Sequence, residues 1–290
     1  MKSIKITLTI FFFSSFFLSC VCEDEPMTPS YGPQEAYDWD ERYEEMPTSD
    51  SQLHLYLPVD NDTTLTPLIL ILPGGCYHHY ATSNEGTNWV PFILKLGFAA
   101  AVLEYNLPWG NPDIPINHVN KVINYLKNTP EFNINSERIG IMGFSAGGHL
   151  ASLIATQPNK SNRPSFQVLF YPVISMEDKY TNTNIHNDCR ELLLGSSPSN
   201  SIKEKYSSNL NVDPATPPAF IAVGDKDNTI SIANSYSYVE ALTKNEVDNT
   251  LIIAPNGDHG YMEWVNLTPI RQTLREWLTK QISQDTSPAI

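Results

Sequence analysis

A serine lies between two glycines in the sequence Gly-Phe-Ser-Ala-Gly at residues 143–147. The apolar stretch Ile139–Met142 before it predicts a short buried strand, and Ala146–Thr156 after it predicts a helix. A serine at such a turn is held in a strained backbone conformation, beside the free N–H groups of the helix start. Flanking glycines let the helix and the strand approach closely. The spacing therefore predicts that Ser145 is a nucleophile that attacks a carbonyl carbon.

A serine hydroxyl is a weak nucleophile and needs a base, and the chain has seven histidines. His259 directly follows the last predicted strand, Leu251–Ala254, where the chain order serine, acid, histidine places the base. His149 lies four residues after Ser145 in the same helix, and we expect it to pack or cap there. The other histidines are His54, His78, His79, His118 and His186.

The acid that orients the histidine should follow the predicted strand Phe220–Val223. Asp225 and Asp227 both stand there. Its task is to fix the imidazole tautomer and to stabilise the imidazolium. We favour Asp227, because Asp225 at the strand end is the better turn former, with support of the site as its alternative role.

The developing oxyanion needs backbone N–H donors as well as the helix start. Pro-Gly-Gly-Cys at residues 73–76 directly follows the buried strand Leu68–Leu72, and glycines let a backbone approach a substrate carbonyl. We assign the donors to the N–H groups of Gly75, Cys76 and Ala146.

The two residues that follow this loop, Tyr77 and His78, are candidates for lining the substrate pocket. His78 and His79 have only Cys76 nearby and do not make a set of metal ligands. The sequence therefore predicts a site without metal and without any other cofactor.

Strands and helices alternate through the rest of the chain, which predicts an α/β fold. The predicted strands are Leu53–Leu57 (edge-type), Leu68–Leu72, Phe98–Leu103, Ile139–Met142, Phe166–Tyr171, Phe220–Val223 and Leu251–Ala254. The predicted helices are Trp89–Leu96, residues 119–126, Ala146–Thr156, Ile230–Leu242 and Ile270–Ile282. This order implies a mostly parallel, doubly wound sheet with helices on both faces, whose sites lie at the carboxyl ends of the strands.

Domain boundaries follow from composition. Residues 23–50 are acidic and aperiodic and are predicted to be a lead-in or linker, and residues 51–283 are predicted to form one catalytic domain. Residues 175–217 break the alternation and are rich in Ser, Asn and Asp, which indicates a lid-like insertion that decides specificity.

Charge excludes some partners. The formal net charge is −14 and the chain has no cluster of Lys and Arg, so nucleic acid and anionic membrane surfaces are poor partners.

The N-terminus has the order of a secretory signal. Lys2 and Lys5 precede the apolar run Ile6–Leu18, which is too short to span a bilayer comfortably. We therefore predict that residues 1–22 are a signal peptide, with two outcomes left open: release, or lipid anchoring at Cys20 in a sequence similar to a lipoprotein cleavage box. The expected location is secreted, periplasmic or on the outer surface as a lipoprotein.

Beyond this segment the cysteines are sparse. Cys76 and Cys189 either form a bridge in an oxidising compartment or are two buried thiols, and the sequence leaves both open.

Several segments together resemble the acetylxylan and feruloyl esterase-like branch of the α/β hydrolases. They are residues 68–77, 85–86, 99–105, 138–151, 192–195 and 217–220. The resemblance implies the α/β-hydrolase fold and places the catalytic triad on Ser145, Asp227 and His259. The chain departs from the family at Cys76, where a third glycine is usual, and near His118, where an acid often stands.

The resemblance also implies a function: hydrolysis of an ester, acetyl above all, on a plant or algal polysaccharide or oligosaccharide. The partner is then an acylated carbohydrate. Two alternatives remain, a general carboxylesterase, lipase-like or peptidase-like serine hydrolase, and a carbohydrate-binding module that keeps the fold without catalysis.

Overall fold

The computed structural model describes residues 7–9, 43–46, 53–58, 65–181, 183–260 and 268–283. Within these residues, nine strands form one sheet in the order β1-β9-β8-β7-β6-β4-β5-β3-β2. The strands are β1 (Thr7–Thr9), β2 (Tyr43–Met46), β3 (Leu53–Pro58), β4 (Thr66–Leu72), β5 (Ala99–Leu103), β6 (Ile134–Phe144), β7 (Gln167–Phe170), β8 (Ala219–Gly224) and β9 (Asn249–Ala254).

The sheet is parallel except at one side. Strand β4 pairs in parallel with both β5 and β6, with Leu70 opposite Ala101 and Ile141. Antiparallel pairs join β3 to β5 and β2 to β3. The central strands read as continuous apolar runs because helices cover both of their faces. Their carboxyl ends therefore meet at one edge of the sheet, where ligand sites in such folds lie.

Eight α-helices accompany the sheet in the described residues. They are α1 (Thr82–Glu85), α2 (Val90–Lys95), α3 (Asp113–Lys127), α4 (Ser145–Thr156), α5 (Asn184–Leu194), α6 (Asn200–Lys205), α7 (Ala233–Lys244) and α8 (Thr268–Ser283). Helices α3 and α4 pack together against β6, and α7 packs on β9. The α8 residue Arg271 lies over the Phe92 ring of α2, and Trp277 of α8 packs edge-on against Phe166. None of the described helices combines the length and apolarity needed to cross a bilayer.

This architecture confirms the predicted fold class, the α/β-hydrolase fold with a mostly parallel sheet. The predicted strands and helices all occur, with boundaries shifted by a few residues.

One edge of the sheet was predicted incorrectly. Residues 43–46 fall in the predicted lead-in but form β2, so β3 is paired on both sides and is not an edge strand. Strands pair through backbone hydrogen bonds, which need no alternation of apolar and polar side chains. The hydrophobic pattern of residues 43–46 therefore did not predict β2. Thr7–Thr9 form β1 against β9, and the other residues of the predicted signal peptide lie outside the described residues, so cleavage stays a prediction.

The 175–217 segment folds onto the core. It contains α5, α6 and a 3-10 turn at Ser208–Leu210, while Asn182 lies outside the described residues. The Ser208 hydroxyl lies 2.7 Å from that of Ser152 on α4. The Asp178 carboxylate joins α5 to α6, because it accepts hydrogen bonds from Arg190 at 2.6 Å and Lys203 at 2.7 Å. A role as a lid stays a prediction.

Candidate active site

The turn between β6 and α4 presents Ser145. Its backbone lies in the left-handed region with φ of 51°, a conformation that costs a residue other than glycine about 1–3 kcal/mol. The turn is tight, since a Cβ on Gly143 would lie 2.3 Å from the carbonyl oxygen of Gly147, and the helix start packs on β4, since a Cβ on Gly147 would lie 2.1 Å from that of Leu72. Only glycine fits there, as the spacing of the pentapeptide predicts.

Ser145, His259 and Asp227 form one hydrogen-bonded chain. Asp227 Oδ2 lies 2.8 Å from His259 Nδ1, and His259 Nε2 lies 2.8 Å from Ser145 Oγ. Because an ionised carboxylate only accepts, Nδ1 carries the proton and Nε2 is left to accept the hydrogen bond from the serine hydroxyl. The Asp227 side chain is 0% exposed and that of His259 is 14% exposed, so water screens this contact poorly.

The two candidate acids have separate partners. Asp227 Oδ1 accepts hydrogen bonds from the N–H groups of Thr229 at 3.0 Å and Ile230 at 2.8 Å, which leaves Oδ2 for the imidazole. Asp225 instead accepts from the N–H of Asn256 at 2.6 Å, across the adjacent turn. The structure therefore brings Asp227 to His259 and places Asp225 as a turn-forming residue.

The loop after β4 has an unusual backbone. Gly75, Cys76 and Tyr77 have φ values of 127°, 56° and 59°, so three consecutive residues lie at positive φ. Within the part of the chain that the structure describes, the N–H groups of Gly75, Cys76 and Ala146 donate no hydrogen bond. These are the three donors that the sequence assigns to an oxyanion.

Contacts from three sides hold this loop. The Tyr105 hydroxyl donates to the carbonyl oxygen of Pro73 at 3.0 Å. Cys76 forms a disulfide with Cys189 of α5, which decides between the bridge and the two thiols that the sequence left open. The bridge also explains the family departure at Cys76: a glycine would adopt its φ of 56° freely, whereas the cysteine is tied to α5.

His149 is the third anchor. Its Nε2 lies 2.8 Å from the carbonyl oxygen of Tyr206 and its Nδ1 lies 2.8 Å from the Tyr77 hydroxyl. Because a carbonyl only accepts, Nε2 carries the proton and Nδ1 accepts from Tyr77. Burial lowers the pKa of His149 to about 3, so the ring is neutral at physiological pH. It packs under the loop as expected and does not reach Ser145.

One predicted pocket residue is wrong. Tyr77 is 1% exposed, with its hydroxyl bound to His149, and a substrate cannot reach it. The positive φ of Tyr77 turns the ring from the loop into the core. His78 is exposed beside the loop, and its contact with substrate stays a prediction. Among the described residues, no three His, Cys, Asp or Glu side chains are grouped to hold a metal ion.

Sequence reasoning missed Tyr171. This residue directly follows β7 and has a φ of 36°. Its ring meets the His259 ring edge-on, with 4.8 Å between the two ring centroids. Its position at the carboxyl end of a central strand was the available signal. Nothing in its residue type marks it, because buried tyrosines are common in cores.

Comparison with known proteins identifies the family of this chain. The BD-FAE family model matches residues 53–242. An acetylxylan esterase of Xylanibacter ruminicola is 34% identical over 197 residues, which cover 67% of this chain and 40% of that protein. An endo-1,4-beta-xylanase B of Butyrivibrio fibrisolvens is 29% identical, over 71% of this chain and 34% of that protein. The chain thus spans well under half the length of these curated relatives.

Among solved structures, an acetyl ester-xyloside bifunctional hydrolase from Caldicellulosiruptor lactoaceticus is 29% identical with a TM-score of 0.70. The match covers 79% of this chain and 88% of that one. Since the family model matches more than half of the chain and includes the serine turn, this chain belongs to the BD-FAE family.

Proposed function

We propose that this protein is a serine esterase that removes acyl groups, acetyl above all, from plant or algal polysaccharides or oligosaccharides. One observation carries the proposal. The Asp227–His259–Ser145 chain, with 2.8 Å at both contacts, ends beside three backbone N–H groups that have no acceptor among the described residues. A base-activated hydroxyl next to free donors is the arrangement that acyl transfer needs.

The first step forms an acyl-enzyme. His259 Nε2 takes the proton from Ser145 as its oxygen attacks the ester carbonyl, and Asp227 stabilises the imidazolium that results. The carbonyl oxygen becomes an oxyanion that accepts hydrogen bonds from Gly75, Cys76 and Ala146. The imidazolium then gives its proton to the departing sugar oxygen, and the acyl group stays on the serine.

The second step repeats the first with water. His259 takes a proton from a water molecule, whose oxygen attacks the acyl carbonyl on Ser145. The oxyanion forms again on the same N–H groups. Its collapse releases the acid, and the serine regains its proton from the imidazolium. Loss of one oxyanion donor in such sites typically costs about 10²–10³ in rate.

Relatives support a carbohydrate substrate. The names of the Xylanibacter ruminicola esterase and the Butyrivibrio fibrisolvens xylanase both refer to xylan, and the Caldicellulosiruptor lactoaceticus structure is described as an acetyl ester-xyloside hydrolase. These proteins point to an acetylated sugar polymer as the first substrate to test.

An exposed aromatic residue also supports a carbohydrate. Trp109 lies in the loop after β5, at the same edge of the sheet as Ser145, and is 73% exposed. Its backbone is held at φ of 48°, and the next residue, Gly110, donates its N–H to the Leu192 carbonyl of α5 at 2.8 Å. An exposed indole on a loop whose backbone is held in this way offers an apolar face on which a sugar ring can stack. We propose that Trp109 binds the carbohydrate chain outside the ester pocket.

We also propose export from the cytoplasm. The Cys76–Cys189 disulfide supports this, because disulfides persist mainly in oxidising compartments. A polymer too large to enter the cell would also require an exported enzyme. Lipid anchoring at Cys20 and release remain the two forms that such export could take.

Asp227→Asn should lower kcat by about 10⁴, a loss of the size known for the same change in a serine protease. The N–H groups of Thr229 and Ile230 require an acceptor at Oδ1, so the asparagine places its NH₂ group toward His259. His259 Nδ1 must then accept a hydrogen bond, which reverses the imidazole tautomer. The measurement is kcat on an aryl acetate. Asp225→Asn is the matched control and should retain near wild-type kcat. Equal losses in the two variants would show that the acid is misassigned.

Acetate release from a panel of acetylated polysaccharides tests the substrate. We expect release from acetylated xylan by the wild type and none above background by Ser145→Ala. With aryl esters, acetyl should be preferred over octanoyl. Preference for octanoyl, with no acetate released from any polysaccharide, would favour a lipase-like enzyme.

Trp109→Ala should lower kcat/KM several-fold on acetylated xylo-oligosaccharides and leave kcat/KM on an aryl acetate unchanged, because only the longer substrate reaches the indole. Tyr236→Ala removes another exposed aromatic ring, 47% exposed on α7, and should change neither value. An unchanged value on the oligosaccharide, or the same loss on both substrates, would refute a role for Trp109 in binding sugar.

A further inference from the structure

A buried carboxylate lies behind the site and takes no part in the triad. Glu85, the last residue of α1, is 7% exposed. Its Oε2 accepts a hydrogen bond from the N–H of Gly74 at 2.7 Å, and its Oε1 accepts one from the Tyr171 hydroxyl at 2.9 Å. Burying a carboxylate is costly, and each of these bonds offsets part of that cost.

The first partner, Gly74, belongs to the loop after β4 that carries the Gly75 and Cys76 donors, called here the oxyanion loop. Gly74 directly precedes the two free donors of this loop, and its backbone packs against the nucleophile: a Cβ on Gly74 would lie 2.9 Å from the Cβ of Ser145 and 2.7 Å from Glu85 Oε2. The bond from Glu85 therefore fixes the start of the loop at the point where it contacts the serine turn.

The second partner belongs to the histidine. The Tyr171 ring meets the His259 ring edge-on at 4.8 Å and also contacts Phe144, the residue before Ser145, at 6.1 Å between centroids. Because its hydroxyl is held by Glu85, the ring cannot shift without breaking a buried hydrogen bond. The Glu85 carboxylate thus connects the oxyanion loop to the tyrosine ring that packs against the His259 imidazole.

The carboxylate also acts on the imidazole by charge. Burial raises the pKa of Glu85 above its usual value, and the bonds to Gly74 and Tyr171 and the positive charges of His259 and His79 offset only part of that rise. Both hydrogen bonds favour the ionised form, in which Glu85 stabilises a protonated His259.

Among the described residues, three further titratable groups act on Glu85 or His259. Asp227 faces His259 directly, and His186 is nearby but neutral because burial lowers its pKa to about 4. Tyr105 interacts with the Glu85 charge and stays protonated, since burial raises its pKa.

We propose that Glu85 is a positioning residue that sets the oxyanion loop and the catalytic imidazole relative to each other through Gly74 and Tyr171. The proposal rests on the proposed esterase function. Glu85 does not touch the substrate, and its carboxylate takes no proton in the reaction. Its effect is on the stability of the transition state, in which the oxyanion and the imidazolium exist together.

The test compares Glu85→Gln with Glu104→Gln. Glu104 is a matched control because its carboxylate also binds α1, at the Thr82 hydroxyl 2.7 Å away, but does not contact Gly74 or Tyr171. Kinetics on an aryl acetate are measured across pH, and circular dichroism checks the fold. For Glu85→Gln we expect kcat to fall by up to about 100-fold with little change in KM. The acid limb of kcat/KM should also move to lower pH, because the imidazolium has lost a stabilising charge. Glu104→Gln should match the wild type.

A folded Glu85→Gln variant with wild-type kcat and an unmoved acid limb would overturn the proposal. If that variant does not fold, Tyr171→Phe decides, since it keeps the ring against His259 and removes only the hydroxyl. A several-fold loss of kcat at constant KM would support the proposal, and wild-type kinetics would overturn it. Failure of the esterase function itself is a different result, because the wild type would then hydrolyse no aryl ester.

Discussion

The hydrogen bond between His259 Nε2 and Ser145 Oγ is the contact on which the chemistry depends. It joins residues that are 114 positions apart in the chain, at a distance of 2.8 Å. The bond exists because β6, β8 and β9 are parallel, so that the loops carrying Ser145, Asp227 and His259 all leave the same edge of the sheet. Placing the three side chains together requires the whole sheet and not any local motif.

Around this contact the backbone is held in conformations that residues other than glycine avoid. Ser145, Cys76, Tyr77 and Tyr171 all have positive φ. Such conformations persist only where surrounding contacts determine them, and each of these residues has such a contact. Ser145 is bound to His259, Cys76 is bridged to Cys189, Tyr77 is bound to His149, and Tyr171 is bound to Glu85. The site is therefore fixed before substrate arrives, as stabilisation of an oxyanion by preorganised donors requires.

The bridge to α5 also connects this site to the 175–217 segment. Because α5 is bonded covalently to the oxyanion loop, any movement of that helix would reach the donors directly. The position of α5 and the geometry of the loop that carries Cys76 are thus mechanically linked in this chain. In a relative with glycine at the position of Cys76, the loop would lack this connection.

Much of this could be predicted from the sequence, for identifiable reasons. Ser145 and His259 follow from their positions after apolar strands, and the sheet follows from the alternation of elements. Asp225 and Asp227 lie two residues apart on one turn; the turn preference of Asp225 and the family resemblance favour Asp227, and the structure brings Asp227 to His259. The burial of Tyr77 depends on its positive φ, which cannot be predicted from its residue type. The Cys76–Cys189 pairing spans 113 residues, and the contacts of Glu85 and Tyr171 arise from packing between distant segments.

Reaction with a fluorophosphonate probe tests the central claim most directly, because the probe reports activation of a serine independently of any substrate. Mass spectrometry of the labelled protein should find one adduct, on Ser145, formed about 10²–10⁴ times more slowly in His259→Gln. An adduct on another residue, or labelling of Ser145 at the wild-type rate without the imidazole, would contradict the account.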